Sequence, residues 1–470
     1  MSLSRASSVS GKHIHFVGIK GVGMTALAEL YVSLGARVTG SDTEEEFFTD
    51  EVLAGIGIVP EAEFAPEHVL EETDLVVYST AYDPATNPEL IEAAKRHIPM
   101  RTYAQAVGEL TRERMSLLVT GSHGKTTTSA MLADALRHAG LDPAAVVGSR
   151  VRSWRGNALT GAGPHLVLEA DEYQNKLNHY GPFAVILTSI DWDHPDCFPD
   201  EQSYEDVFRT FVARIPRHGV LVYSADDAAV SRIAENASCA KRSYGFSDDA
   251  DFRVTEYGSG EAEEGIFRSR FTIVHGDRDF GSFTIRLPGR HNVANAAAVI
   301  ALCEYLNVDR EHVREALAAF SGTARRSDYL GSSHGAPVYD DYAHHPEEIR
   351  ATLSAFKASY PDRNIIAVFH PHTFTRTKAL FSEFAQSFDD ADRVIVLDIY
   401  GSAREKQGGV SSADLTTEIS RFSPGKAEHI PTIPEAIEAL RGSLTENDLL
   451  ITLGAGDVWR VAKGVVSVKD

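Results

Sequence analysis

Short apolar runs along the chain alternate with segments whose apolar residues recur every three or four positions. This alternation is typical of α/β proteins, in which strands and amphipathic helices follow one another. Residues 241–287 instead alternate apolar and polar positions around Gly276-Asp277-Arg278, which predicts a small β-hairpin annex. The predicted strands of the α/β part lie at 13–17, 37–39, 75–78, 117–119, 166–168, 183–187, 338–339, 365–369, 393–397 and 449–453.

The segment Thr120–Thr128 joins a predicted strand to a predicted helix. Such a junction can hold a phosphate, because the free N–H groups of the first helical turn and the helix dipole favour an anion. Gly121 and Gly124 would let the backbone approach the phosphate, Lys125 supplies a charge, and Thr126 can ligate Mg²⁺. The segment is shorter than the general P-loop pattern, so an ordinary strand-to-helix turn is the alternative interpretation.

A second glycine-rich turn, Gly18–Met24, follows the first predicted strand. Asp42 ends the next strand about 20 residues after Gly21, the spacing at which an acid can bond a ribose hydroxyl in a nucleotide-binding unit. Ser79 and Thr80 end the third strand, at the edge where such sheets bind ligands. The alternative is that the glycines serve strand–helix packing only.

Acids and a histidine follow two strands near the phosphate loop. Glu169-Ala170-Asp171-Glu172 ends one strand, and Asp193-His194 lies beyond another. Their position favours metal binding over the alternative of a solvated acidic turn. The helix start His291–Asn295 is most simply read as a pair of capping asparagines. Further polar segments, Asp340–Pro346, His370–Thr377 and Gly454–Asp457, end strands of the last third of the chain.

Length and composition narrow the class of protein. A chain of 470 residues suggests two to four domains, with a plausible boundary at Arg112-Glu113-Arg114. Three scattered cysteines, a polar N-terminus and the absence of a long apolar run predict a cytoplasmic protein without membrane insertion. A net charge of −22 disfavours nucleic acid as a partner.

These residues together resemble the Mur ligases, the ATP-dependent amide-forming family of peptidoglycan synthesis. The resemblance spans nearly the whole chain. It includes Gly18–Met24, Gly121–Thr127, Glu169–Glu172, Asp193-His194, His291–Asn295, Arg325-Arg326, Asp340–Pro346, Pro371–Thr377 and Gly454–Gly456.

The resemblance implies three α/β domains. It gives residues 1–114 as a Rossmann-like UDP-sugar-binding domain and 115–324 as a P-loop ATPase-like central domain with the β annex. Residues 325–470 would form a Rossmann-like C-terminal domain. The motifs are most like those of the alanine-adding branch, in which ATP phosphorylates the lactyl carboxylate of UDP-N-acetylmuramate and L-alanine attacks the acyl phosphate. A homodimer and a monomer both stay open.

The resemblance also implies roles for single residues. Catalysis would involve Lys125, Glu169, His194, His344 and Arg376, and Mg²⁺ (or Mn²⁺) would be held by Thr126, Glu169 and His194. ATP would be bound by Gly121, Ser122, His123, Gly124, Lys125, Thr126, Thr127, His291, Asn292, Asn295, Arg326 and Asp341. The UDP-sugar and L-alanine would be bound by Gly21, Val22, Gly23, Met24, Asp42, Ser79, Thr80, Tyr342, His345 and Arg376.

Three residues depart from the family pattern: Lys20 replaces a frequent glycine, Ser189 a usual Asn and Thr373 a common Arg. No lysine lies between His194 and Ile215, where later ligases of the pathway carry a carbamylated one. The alternatives are a murein-tripeptide recycling ligase and, in other classes, a nicotinamide-dependent dehydrogenase or a P-loop switch. The segment Pro371–Thr377 favours the alanine-adding branch over the recycling ligase.

Overall fold

The structure is a computed structural model that describes residues 7–154, 156–263, 266–276, 278–401 and 408–466. Asp277, in the turn of the predicted annex, lies outside these residues. Across the described ranges, helices of the length and apolar character needed to span a bilayer are absent. The described residues form three sheets with their helices, which we call the first, central and third units.

The first unit has a parallel sheet of order β2-β1-β3-β4, as the sequence predicts for a doubly wound unit. The predicted strands at 13–17 and 75–78 are confirmed, and β2 runs two residues beyond its predicted end. The elements are β1 His13–Val17, α1 Val22–Ser33, β2 Arg37–Ser41, α2 Thr49–Gly55, a 3₁₀ turn Pro66–His68, β3 Leu75–Tyr78, α3 Pro88–Lys95, β4 Met100–Thr102 and α4 Tyr103–Glu113.

The central unit is a ten-stranded sheet of order β14-β13-β12-β11-β10-β9-β5-β8-β6-β7. Its strands and the 3₁₀ helix are β5 Met115–Thr120, β6 Ala144–Val146, β7 Ala158–Thr160, β8 His165–Glu169, 3₁₀ Tyr173–His179, β9 Ala184–Leu187, β10 Val220–Ser224, β11 Ala240–Gly245, β12 Phe252–Glu263, β13 Ile266–His275 and β14 Arg278–Ile285. Its helices are α5 Lys125–His138, α6 Glu201–Val212, α7 Ala228–Ala234, α8 Arg290–Tyr305 and α9 Arg310–Ala319.

The predicted annex is part of this central sheet. β13 pairs antiparallel with both β12 and β14, and β12 continues the sheet by pairing parallel with β11 at Tyr244 and Phe252. From β13, Phe267 reaches into the third unit, where its ring centroid lies 5.7 Å from that of Tyr339 and 5.6 Å from that of Phe356. The annex therefore packs against two units at once.

The third unit has a sheet of order β15-β16-β20-β17-β18-β19, with only β15 antiparallel to its neighbour. The sequence pattern predicted four of these six strands. The elements are β15 Asp328–Ser333, β16 Ala336–Asp341, α10 Pro346–Ser359, β17 Asn364–Phe369, α11 Phe374–Ala379, α12 Phe381–Ala385, β18 Arg393–Val396, α13 Ser412–Phe422, β19 Ala427–His429, α14 Ile433–Arg441, β20 Asp448–Leu453 and α15 Trp459–Val466.

Helix α4 of the first unit packs closely on the 3₁₀ helix of the central unit. A Cβ atom on Gly108 would overlap the carbonyl oxygen of His179, and Arg112 donates to that same oxygen at 2.7 Å. A side chain at Gly108 would therefore push the two units apart.

We expect Gly108→Ala to lower the free energy of unfolding by about 1–3 kcal/mol, because the backbone of His179 must move to admit the methyl group. Gly55→Ala is the matched control, since Gly55 is also helical and a Cβ there meets nothing within 4 Å. That control should raise stability by up to about 1 kcal/mol. Denaturant unfolding of both variants checks this, and equal stability would contradict the close packing.

Candidate functional site

The loop between β5 and α5 needs both of its glycines. Gly121 has φ 128° and Gly124, the N-cap of α5, has φ 79°. A Cβ atom on Gly121 would overlap the hydroxyl of Thr188, and one on Gly124 would lie 2.6 Å from Asn295 Oδ1. Both positions therefore combine left-handed backbone with close neighbours, which only glycine accommodates.

Ser189 supports this loop from the neighbouring strand end. Its carbonyl accepts from Ser122 N at 2.8 Å, and its hydroxyl accepts from His123 N at 3.1 Å. Although Ser189 replaces the Asn that is usual in the family, its side chain still helps to order the loop.

Lys125 is largely buried and bound to protein oxygens. Its Nζ donates to the carbonyls of Gly121 at 2.5 Å and Ser122 at 3.1 Å, and to Glu172 Oε2 at 3.0 Å. Burial alone would lower the pKa of Lys125, but the charges of Glu172 and Asp171 outweigh it and raise that pKa. Lys125 is therefore a fixed cation whose ion-pair partner, Glu172, sequence reasoning did not assign.

Two groups of possible metal ligands lie near the loop. Thr126 Oγ1 donates to Glu169 Oε1 at 2.8 Å, so the structure brings these two predicted ligands together. His194 instead joins Asp171 and Glu172, with one ligand atom from each within 4.8 Å of the others. The acidic run 169–172 was noted in the sequence, but which acids face the histidine could not be read from it.

A cavity of about 330 Å³ opens on one side of the loop. Nine of the residues predicted to bind ATP line it: His123, Gly124, Thr126, Thr127, His291, Asn292, Asn295, Arg326 and Asp341. Sequence reasoning missed Asp226, Asp227 and Glu348, which line it as well. We call this space the loop cavity.

The asparagines of α8 do not cap their helix, contrary to the simplest interpretation. Gly289 is the N-cap, and Asn292 lies inside the helix, donating from Nδ2 to the carbonyl of Pro288 at 2.8 Å. Burial lowers the pKa of His291 to about 4, so its ring is neutral at pH 7. This wall of the loop cavity thus offers neutral hydrogen-bonding groups.

A second cavity, of about 210 Å³, lies between the first unit and the loop. Lys125 and Glu169 line it from the central unit, and Gly23 and Tyr103 from the first. A Cβ atom on Gly23 would lie 2.8 Å from the Tyr103 ring. We call this space the junction cavity; the consecutive residues Lys125 and Thr126 separate it from the loop cavity.

In the first unit, the turn Gly21–Met24 forms the N-terminus of α1, with Gly21 as N-cap. Asp42 is tied to its own unit, since it accepts from Lys20 N at 2.7 Å and from the Tyr82 hydroxyl at 2.9 Å. The ammonium of Lys20 lies 3.2 Å from Asp50, so this departure from the family pattern orders the segment beyond Asp42.

The two polar residues after β3 make local contacts. Ser79 Oγ accepts from Ala81 N at 3.2 Å, and Thr80 Oγ1 donates to Gln174 in the central unit at 3.2 Å. Thr80 therefore lies where the first and central units meet.

Arg376 of the third unit forms a buried, two-bonded ion pair with Asp193 of the central unit. Nε lies 2.9 Å from Oδ1 and Nη2 lies 3.2 Å from Oδ2. Burial raises the pKa of Asp193, but Arg376 and His194 outweigh it and hold that pKa far below its usual value. The predicted substrate-carboxylate anchor is thus occupied by a protein carboxylate here.

His123 links the loop to the third unit. Its Nε2 lies 3.1 Å from Asp191 and its Nδ1 lies 3.1 Å from Glu348. Burial lowers its pKa, but the two carboxylates outweigh this and raise it to about 10. The ring of His345 lies 4.9 Å from that of His123, and the His345 side chain also caps α10 by accepting from Glu347 N at 3.4 Å.

The remaining predicted residues of the third unit are packed together. Tyr342 lies against the guanidinium groups of Arg325 and Arg326, at 4.9 and 5.1 Å from its ring centroid. Asp341 accepts from Ser327 N at 2.6 Å, and burial raises its pKa to about 6. His344 contributes its Nδ1, 3.1 Å from Glu348.

Three family models match the chain in order. They are "Mur ligase family, catalytic domain" over residues 13–115, "Mur ligase middle domain" over 119–303, and "Mur ligase, glutamate ligase domain" over 325–456. A UDP-N-acetylmuramate–L-alanine ligase from Desulfitobacterium hafniense is 41% identical over 97% of this chain and 99% of its own length. The enzyme of that name from Salinibacter ruber is 35% identical over 98% and 95%.

A solved structure agrees with these sequence matches. The UDP-N-acetylmuramate–alanine ligase of Thermotoga maritima superposes with a TM-score of 0.81 at 27% identity, covering 97% of this chain and 98% of that one. Matched over most of its length by family models and by relatives above 30% identity, the chain belongs to the Mur ligase family.

Proposed function

We propose that this chain is an ATP-dependent ligase that joins L-alanine to the lactyl carboxylate of UDP-N-acetylmuramate in peptidoglycan precursor synthesis. Its full-length relatives carry that enzyme name. The observation that carries the proposal is the placement of Lys125 and Thr126, which are consecutive yet line two different cavities. A triphosphate in the loop cavity would present its terminal phosphate beside Lys125, toward the junction cavity.

The loop cavity fits ATP. Backbone N–H groups of Gly121–Thr127 and the N-terminus of α5 would hold the phosphates, together with Arg326. Neutral His291 with Asn292 and Asn295 would adjoin the adenine, because a base is bound by uncharged donors and acceptors. Asp341, on the third unit's side of the cavity, would adjoin the ribose.

The junction cavity lies between Lys125 and the face of the first unit on which the acceptor would bind. Gly21–Met24 at the start of α1 would hold the diphosphate, and Asp42, Ser79 and Thr80 would lie toward the uridine. The lactyl carboxylate would then project between the first unit and Lys125. This arrangement would bring the carboxylate oxygen and the terminal phosphate that it attacks together beside Lys125.

Two donor sets fit Mg²⁺. Thr126 with Glu169 supplies oxygen ligands near the phosphates, and His194 with Asp171 and Glu172 supplies a second, mixed set. Mn²⁺ suits the same oxygen and imidazole donors. A divalent cation there would neutralise charge as carboxylate and phosphate approach.

The chemistry follows in two steps. A carboxylate oxygen attacks the γ-phosphorus and ADP leaves; the amine of L-alanine then attacks the acyl carbon, phosphate leaves, and the nitrogen loses a proton. Lys125 would stabilise the transferring phosphoryl group. His344, Tyr342 and His345 would orient L-alanine, whose carboxylate would share Arg376 with Asp193.

Division of the chain at 114/115 and 324/325 would give each substrate its own domain: 1–114 for the sugar nucleotide, 115–324 for ATP and 325–470 for L-alanine. We place the reaction in the cytoplasm, the compartment that supplies both nucleotide substrates.

Incubation of the protein with UDP-N-acetylmuramate, ATP, Mg²⁺ and an equimolar mixture of L-alanine and L-alanyl-D-glutamyl-diaminopimelate tests the proposal. We expect mass spectrometry to find the alanine adduct and stoichiometric ADP. Product from the tripeptide alone would identify the recycling ligase instead. ATP hydrolysis without any amide product would refute ligation.

Lys125→Ala should lower the rate of ligation by about 100-fold or more, because the loop carbonyls hold its ammonium group where the transferring phosphoryl group would develop charge. Lys95→Ala is the control, since Lys95 is an exposed lysine paired with Glu92 on the first unit. Initial rates of ADP release, measured with both substrates saturating, check this. An undiminished rate in Lys125→Ala would refute the phosphate-binding role.

His194→Ala should raise the Mg²⁺ concentration that gives half-maximal rate by about tenfold or more, since one ligand of the second donor set is lost. His138→Ala, which removes an exposed histidine paired with Glu315, should leave it unchanged. The measurement is a Mg²⁺ titration of the ligation rate. Identical titration curves for His194→Ala and the unsubstituted protein would rule out a cation at His194.

A further inference from the structure

Glu348, in the first turn of α10, contacts basic side chains from both sides of a unit interface. Its Oε1 lies 3.1 Å from His123 Nδ1 in the phosphate loop, and its Oε2 lies 3.1 Å from His344 Nδ1 in the third unit. Oε2 also accepts the backbone N–H of His344 at 3.0 Å, and Arg326 Nη1 lies 3.8 Å from Oε1. One carboxylate thus joins the loop to the third unit.

This carboxylate also lines the loop cavity, and its side chain is only 10% exposed. Burial raises the pKa of Glu348, but His344 and His123 outweigh it and hold the pKa well below its usual range. A negative charge therefore stands on the wall of a space that fits a triphosphate. Like charges repel most strongly where water is excluded.

We propose that Glu348 is a positioning residue with two opposed effects on the reaction. It fixes His123 and His344 relative to each other across the interface, and it weakens the binding of ATP. The inference rests on the proposed function. The positioning effect follows from the two 3.1 Å contacts. The weaker binding of ATP follows because Glu348 and ATP are both negatively charged.

Arg326 connects the two effects. It lies near Glu348 and lines the same cavity, so a bound phosphate and Glu348 would share its guanidinium. Loss of the Glu348 charge would remove one competitor of the phosphates for Arg326, while the third unit would lose its bridge to His123. Binding of ATP and the rate of ligation should therefore respond in opposite directions.

The test compares Glu348→Gln, Glu348→Asp and the unsubstituted protein. In Glu348→Gln we expect ATP to bind about 3–10-fold more tightly, measured by calorimetry with Mg²⁺ and without acceptor, because the repulsion is removed. The kcat for ligation should fall about 10–100-fold. Glu348→Asp keeps the charge but shortens the reach, so its ATP affinity should stay unchanged while its kcat falls.

Glu418→Gln is the matched control. Glu418 is also a third-unit helical glutamate in an ion pair, with Arg421, and it lines neither cavity. Both constants should be unchanged in that variant.

Weaker or equal ATP binding in Glu348→Gln would overturn the proposal, and so would an unchanged kcat in Glu348→Asp. A purely structural role for Glu348 would weaken binding and turnover together, which is the opposite of the expected split. The failure of the proposed function is separate, because it would appear as absence of amide product with the unsubstituted protein. The ATP affinities would still be measurable in that case.

Discussion

Three cationic side chains to which we assign roles in the reaction are each paired with a carboxylate of the protein. Lys125 is paired with Glu172, Arg376 with Asp193, and His123 with Asp191 and Glu348. Buried ions are stable only when they are paired, because their desolvation costs several kcal/mol each. These ion pairs hold the cationic side chains in place, and on the proposed function anionic substrates would share or replace their carboxylate partners.

Glu172 contacts both Lys125 and His194, so a change of partner at one of them affects the other. The same carboxylate contacts Lys125, accepts from the Tyr204 hydroxyl at 2.9 Å and lies 3.7 Å from His194 Nε2. A cation held near His194 would share Glu172 and reduce its hold on Lys125, which would then be more available to a phosphate. Glu172 would thus couple the binding of a cation near His194 to the binding of a phosphate at Lys125.

The sequence predicted the strands that carry the site because buried parallel strands are short apolar runs followed by glycine or polar residues. It located both Asp193-His194 and Arg376, but their pairing joins residues 183 positions apart and depends on how two units pack. Short or edge strands such as β6, β7 and β19 have only three residues each, too few to show a pattern. The pairing and these short strands therefore could not be predicted from the sequence.

Glu348 illustrates a signal that was present and not used. It lies two residues after the motif Asp340–Pro346, in the first turn of α10, and four residues after His344, which immediately precedes the N-cap His345. This nearness in the sequence indicates its contact with His344. Its contact with His123, 225 residues away, depends on the docking of the third unit.

The third unit also packs on the central unit through an aromatic contact away from the candidate site. Phe267, from the central sheet's β13, is 2% exposed and packs on Tyr339, Phe356 and Tyr360 of the third unit. An aromatic side chain buried in this way contributes a few kcal/mol. Helix α10 carries both Phe356, which contacts Phe267, and Glu348, which contacts His123. Helix α10 thus contacts the annex through Phe356 near its C-terminal end and the loop between β5 and α5 through Glu348 near its N-terminal end. These two contacts together fix the position of the third unit on the central unit.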